Sequence, residues 1–344
     1  MAYKPIGDYG VIGDQNSAAL VGMDGSLDWC CFPRFDSPSV FAAILDHAKG
    51  GRFQIAPTGG YQAQQSYLPN TNILVTTFQG SRGRATLQDF MPLAHDPSKQ
   101  EAPHEVHRTV RCEAGEMELG CTFQPRFNYA RGDTALYPTS HGVLARQGVE
   151  TLAMDSPVPL EVDRRQARAT FKLRQGTSVT FVLRYGAGDW AEPGWYSTPQ
   201  KLTHTRAYWE DSVRRLQYEG QWKKEVVRSF LALHLLVYAP TGAIVASPTT
   251  SLPEDMGGER NWDYRYCWLR DASFVLGTLY RLGDYLEAQA FSRWLIHRAG
   301  VTTRAMHIVY SVTGDSRLTE RELDHMEGYR GSKPVRIGNR AYLQ

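Results

Sequence analysis

Over the first two hundred residues, apolar and β-branched positions recur in short runs: "SLDWCCF", "YQAQQSY", "NILVTTFQG", "RATLQDF", "VHRTVRCEAG", "MELGCTFQP", "GVLARQG", "ATFKLRQG" and "SVTFVLRYG". Gly, Asp, Asn and Pro separate them at intervals of about ten residues, the pattern of a β-sandwich. Asp24-Gly25 between two apolar runs predicts a hairpin turn. Helical periodicity is confined here to "PSVFAAILDHA".

The period changes near residue 198. "TPQKLTHTRAYWEDSVRRLQY" opens with a Thr/Pro helix-start signal and carries mixed charge, as a linking helix would. "QWKKEVVRSFLALHLLVYAPTG" places Val226, Val227, Phe230, Leu231, Leu233, Leu235 and Leu236 at helical spacing before Pro240. "RDASFVLGTLYRLG" and "DYLEAQAFSRWLIHRAG" predict two more helices, each ended by Gly. The expected organisation is a β-sandwich over 1–197, a linker helix over 198–218 and an α-helical domain over 219–344. Three or four apolar helices are few for a domain of that kind, so exposed apolar helix faces are expected.

Composition narrows the reading. The 344 residues are 42% hydrophobic and 22% charged, as in globular chains, and the net charge of +2 gives no footprint for nucleic acid or an anionic membrane. No apolar run approaches the roughly 18 residues of a membrane span, and the N-terminus lacks a signal-peptide core. Five unpatterned cysteines favour a reducing, cytoplasmic setting. Eighteen Tyr and eight Trp exceed what core filling needs, which leans toward a stacking ligand.

The most informative stretch is "NWDYRYCWLRDASF". Trp262, Tyr264, Tyr266 and Trp268 fall at strand period, with Asn261, Asp263, Arg265 and Cys267 on the other face. The rings are either the buried face of a strand, with Asp271 capping the next helix, or a platform for a pyranose. A pyranose offers C–H faces to aromatic rings and hydroxyls to a pair such as Arg270-Asp271. Periodicity alone leaves both open. "LDHMEGYRGSKPVRIGN" has little periodicity and reads as a connection or a binding loop. Asp28, Arg34 and Asp36 beside Trp29 and Phe35 read as a hairpin with surface charges. "HEVH" (His104 to His107) precedes a strand, so both imidazoles do not share a face and no third metal ligand is evident. There is no phosphate-cradling glycine fingerprint, G-x-S-x-G elbow or CxxC pair.

Together these segments resemble glycoside hydrolase family 15, the bacterial glucoamylase- and trehalase-like proteins. The resemblance rests on "IGDYGVIGDQNSAALVGMDGSLDWCCFPRFDSPSVFAAILD", "DFMP", "PRFNYA", "LPEDMGGERNWDYRYCWLRDASF" and "ELDHMEGYRGSKPVRIGN". It implies a β-sandwich followed by an (α/α)6 barrel, and inverting hydrolysis of α-glucosidic bonds with no cofactor or metal. Tyr264, Trp268, Arg270 and Asp271 match the motif that holds the non-reducing glucose; Tyr329 and Arg336 match a second wall.

Inversion needs an acid and a base about 6.5–9.5 Å apart. In the family both are glutamates C-terminal to the "RPVRIGN"-type motif, which places them beyond Gln344. Glu254, Asp255, Glu259, Asp263 and Glu327 match no catalytic position, so no catalytic residue is assigned. The expectation is a truncated family member with an incomplete barrel and no turnover alone, completed by further chain or by a partner chain supplying the missing half. Its expected ligand is an α-glucan or maltooligosaccharide acted on in the glucoamylase manner, or alternatively trehalose; a non-catalytic glucan-binding fragment is the third reading.

Overall fold

The computed structural model describes residues 3–94, 102–186, 197–299 and 306–344. Its first half is an antiparallel β-sandwich organised around one strand of twenty residues, Glu105–Gln124. The first part of that strand pairs with Gly83–Phe90 and Ser178–Tyr185, and the second part with Arg52–Pro57 and Ala167–Arg174. The runs "VHRTVRCEAG" and "MELGCTFQP", expected as two strands, are therefore one. Its bend falls at Gly115, where φ is +65° and a Cβ would sit 2.2 Å from the Arg82 carbonyl oxygen, so only glycine fits without strain. Passing from one sheet to the other, the strand lets both sheets close on a common core that includes Phe53, Phe78, Val110, Phe123 and Phe181.

One expected helix is absent. "PSVFAAILDHA" forms the short strand Ser39–Phe41, paired to Cys30 and Cys31, and then turns. Val40 through Leu45 are all buried, which leaves no polar face for a helix to show solvent. Asp46 closes the turn by accepting the Ala48 and Lys49 amides.

The second half holds four helices of the expected sequence among the described residues: α1 (Thr198–Arg214), α2 (Lys223–Leu235), α3 (Leu269–Arg281) and α4 (Tyr285–Ala299). Ser197 caps α1 by accepting the Gln200 amide. They do not close a barrel. Phe274 and Tyr280 of α3, and Leu286 and Ile296 of α4, are more than half exposed, as expected of an incomplete helical layer. No described helix is long and apolar enough to cross a membrane.

Polar residues fasten the helices to the sandwich. Within "HEVH", Glu105 and His107 serve this purpose: His107 contacts Thr198 through Nδ1 and Glu105 through Nε2, and Glu105 takes the Lys201 ammonium at 2.6 Å. Gln15 Nε2 donates to the His234 carbonyl, and Asn72 to that of Leu231. His234, in the last turn of α2, contacts Glu287 Oε1 at 3.0 Å in the first turn of α4. A basic group at one helix C-terminus thus faces an acidic helix N-terminus, each favoured by its helix dipole.

Asp14, at the same junction, is buried; its Oδ1 accepts the Asn16 and Ser17 amides. Burial raises its carboxyl to about 7, against the lowering by those backbone bonds. A folded pKa above the unfolded value gives a stabilisation that is full below about 3.9 and is lost as pH rises through about 7. Asp14→Asn is therefore expected to gain stability relative to wild type as pH rises from about 5 to about 8. Urea melts across that range check this, and a difference independent of pH contradicts it.

Candidate functional site

The segment 261–268 runs extended beside 246–251. The carbonyls of Trp262, Tyr264 and Tyr266 accept the amides of Ser251, Ser247 and Ala246. This fixes which side chains point inward. The inward face is the polar one: Asn261, Asp263 and Arg265 are each at most 1% exposed, whereas Trp262, Tyr264 and Trp268 are partly exposed.

Arg265 and Asp263 explain the inversion. The guanidinium makes a bidentate pair with Asp263 at 2.9 and 2.7 Å, and Nη1 donates to the Ser37 carbonyl at 2.7 Å. Burial works against its charge, but Asp263 overcomes this and holds the guanidinium well above its usual pKa. Asp263 Oδ2 also accepts the Gly338 amide, and its backbone carbonyl accepts Asn339 Nδ2. One buried ion pair therefore joins the sandwich, the aromatic segment and the "KPVRIGN" segment.

Outside lies a cleft of about 730 Å³. Trp262, Tyr264, Trp268 and Arg270 form one wall; Glu320, Arg321, Glu322, Arg336, Asn339 and Arg340 form much of the other. The Tyr264 and Trp268 rings are 6.5 Å apart, tilted at 46°. The Tyr264 hydroxyl donates to Glu254 at 3.3 Å; burial first, then Glu254, raises the phenol above its usual pKa, so it remains a donor. Arg270 stands over the Trp268 ring at 5.5 Å and donates to Asp271 Oδ2 at 3.0 Å. Asp271 lies inside the first turn of α3, beside Arg270 at the mouth; the helix has no side-chain N-cap.

Of the six residues singled out, Tyr264, Trp268, Arg270 and Arg336 line the cleft, and Asp271 adjoins it. Tyr329 is elsewhere. It is buried against Tyr3 with its hydroxyl on the Lys4 carbonyl, because Gly328 at φ +76° turns the chain into the sandwich there. Tyr266, by contrast with its neighbours, packs with Val309 and Leu318. Asp28 and Trp29 are buried and bonded internally, and Asp36 accepts the Val312 amide, so the hairpin charges are structural.

Glu320, Glu322, Asn339 and Arg340 were not singled out from sequence. The strand Arg321–Glu322 reaches the cleft only by pairing with Arg336–Ile337, a contact that local periodicity does not reveal. The carboxylates of Glu320 and Glu322 both face Arg336, at 3.8 and 3.5 Å. Away from the cleft, His234, Asp284 and Glu287 have ligand atoms within 4.8 Å of one another, but each has a structural task at a helix end. A second cleft of about 840 Å³ lies between 67–71 and α1–α2; its Arg228 is fixed over Tyr67 and on the Thr71 carbonyl.

Residues 2–209 match the model of a trehalase-like N-terminal domain, and residues 220–344 match that of glycosyl hydrolases family 15. A trehalase of Mycolicibacterium smegmatis is 37% identical over 368 residues, covering 99% of this chain and 55% of its own length. Trehalases of Thermoplasma volcanium and Thermoplasma acidophilum are 38% and 39% identical, over 99% and 94% of this chain. The chain spans about half the length of the curated relatives it matches.

Gly338 has φ +78°, and a Cβ there would sit 2.1 Å from the Thr319 carbonyl oxygen. Gly338→Ala is expected to cost about 1–3 kcal/mol, since the left-handed backbone that delivers its amide to Asp263 is strained with a side chain. Thermal and urea melts check this; an unchanged midpoint contradicts it.

Proposed function

The chain belongs to glycosyl hydrolases family 15, and from that premise we propose that it carries the glucose-holding wall of an α-glucoside hydrolase acting on trehalose. The observation that carries the proposal is the polar-in, aromatic-out arrangement of 261–268, with Arg270 and Asp271 at its end. Tyr264 and Trp268 offer apolar rings to one pyranose, and Arg270 and Asp271 offer a donor and an acceptor to its outer hydroxyls. The sequence favoured a glucoamylase with trehalase as the alternative; the trehalase names of the relatives support the alternative better.

The reaction type that goes with this reading is hydrolysis with inversion, by one carboxyl acid and one carboxylate base on opposite sides of the bond. Glu320 and Glu322 are not assigned either role: both stand against the Arg336 guanidinium, at 3.8 and 3.5 Å. No carboxyl of residues 1–344 is assigned as the acid or the base. The same proposal puts the protein in a reducing cytoplasm, in keeping with five free, buried cysteines.

The 344-residue chain alone is expected to release no glucose from trehalose, maltose or soluble starch, yet to bind trehalose in calorimetry. Asp271→Ala is expected to weaken that binding by about tenfold or more. Turnover by the isolated chain contradicts the reading that none of its carboxyls serves as the acid or the base. Binding indifferent to Asp271 contradicts the glucose wall.

A further inference from the structure

The segment "PRFNYA" has no part in the glucose wall, yet its backbone is unusual. Asn128, Tyr129 and Ala130 have φ of +51°, +59° and +58°, three successive left-handed residues and none of them glycine. Such a turn is unfavourable for L-residues, above all for one with a bulky ring, and it persists only where its surroundings enforce it. Here they do. The Arg126 amide donates to the Val40 carbonyl at 2.8 Å, and the Arg131 amide to the Asn128 carbonyl at 3.1 Å. The Phe127 amide donates to Thr134 Oγ1 at 3.2 Å, and the Phe127 side chain is buried in the sandwich core.

What the turn delivers is Tyr129. The Arg265 guanidinium lies 5.6 Å from the centre of its buried ring and 5.8 Å from that of Trp29, so two rings hold one cation away from water. The Tyr129 hydroxyl donates at 3.4 Å to the Ser37 carbonyl, the same oxygen that takes Arg265 Nη1. Trp29 Nε1 donates to the Pro248 carbonyl at 2.8 Å, in the stretch 246–251 that runs beside the aromatic segment. The main chain of Tyr129 serves the opposite wall. Its carbonyl accepts His325 Nε2 at 2.7 Å, on the segment that continues from the cleft-lining Glu322.

We infer that Tyr129 is a positioning residue for the sugar cleft, steadying Arg265 behind the aromatic wall with its ring and the 320–340 wall with its carbonyl. The inference rests on the glucose wall proposed above and adds a residue of the sandwich that touches no sugar. Without the ring, Arg265 is free to tilt, and with it the backbone of 261–268 that aims Tyr264 and Trp268. The strained turn is retained because it places ring and carbonyl on the supports of both walls at once.

The test is calorimetric titration of the 344-residue chain with trehalose, well below its melting temperature, beside urea melts of the same variants. Tyr129→Leu is expected to weaken binding about tenfold, whereas Tyr129→Phe, which keeps the ring, restores most of the affinity. Phe78→Leu removes a ring from the sandwich core and is expected to lower the urea midpoint with trehalose affinity within about twofold. That contrast separates positioning from stability. Should Tyr129→Leu not fold, His325→Leu decides: its side chain is only half-buried, and binding is expected to weaken about threefold. Unchanged affinity in the deciding variant, with binding still lost in Asp271→Ala, overturns the positioning role and leaves the glucose wall standing. A loss in Phe78→Leu as large as in the deciding variant also overturns it, since affinity would then follow stability. Failure of the wild-type chain to bind trehalose overturns the glucose wall itself, and the role of Tyr129 with it.

Discussion

The bidentate pair of Arg265 with Asp263 is the constraint on which the site depends. Both groups are buried, and such a pair does not by itself guarantee stability, because removing two charges from water is costly. Its value here is directional. The guanidinium reaches the Ser37 carbonyl, and Asp263 receives the Gly338 amide, so the pair is satisfied only when three distant parts of the chain meet. Once it is inward, strand alternation turns Trp262, Tyr264 and Trp268 toward the cleft. A sequence whose rings faced inward would bury more apolar area, but it would leave Arg265 and Asp263 in solvent and the Ser37 carbonyl without its guanidinium donor.

The sandwich is therefore part of the site's construction as well as a neighbour of it. Its hairpin supplies the carbonyls for Arg265, its first turn supplies Gln15 to the end of α2, and its long strand supplies Glu105 and His107 to α1. The C-terminal segment is sewn on similarly: His325 contacts the Tyr129 carbonyl, the Glu327 amide donates to Asp46, and Tyr329 reaches Lys4. These fastenings hold the two cleft walls at a fixed separation, although one side of the helical layer, at Phe274, Leu286 and Ile296, is exposed.

Much of this was legible along the chain, because strands such as "SVTFVLRYG" and helices such as α2 declare themselves by local period. The strand period of 261–268 was legible too, but not which face was buried; that depends on the Ser37 carbonyl, more than two hundred residues away. Tyr329 shows the limit of motif reasoning. It sits within a segment that does form the cleft, yet its own side chain is packing. Glu320 and Glu322 were missed because their place follows from pairing with Arg336–Ile337, a register that no local pattern encodes. "PSVFAAILDHA" misled for a related reason: its apolar residues are buried on every side, a situation in which periodicity carries no information.

The central claim is that the polar-in, aromatic-out segment presents a sugar-binding wall. A crystal of the 344-residue chain soaked in trehalose tests this most directly. The account predicts density for a glucose ring against Tyr264 and Trp268, with its outer hydroxyls on Arg270 and Asp271. An empty cleft at saturating trehalose, or sugar bound only elsewhere on the molecule, would contradict it.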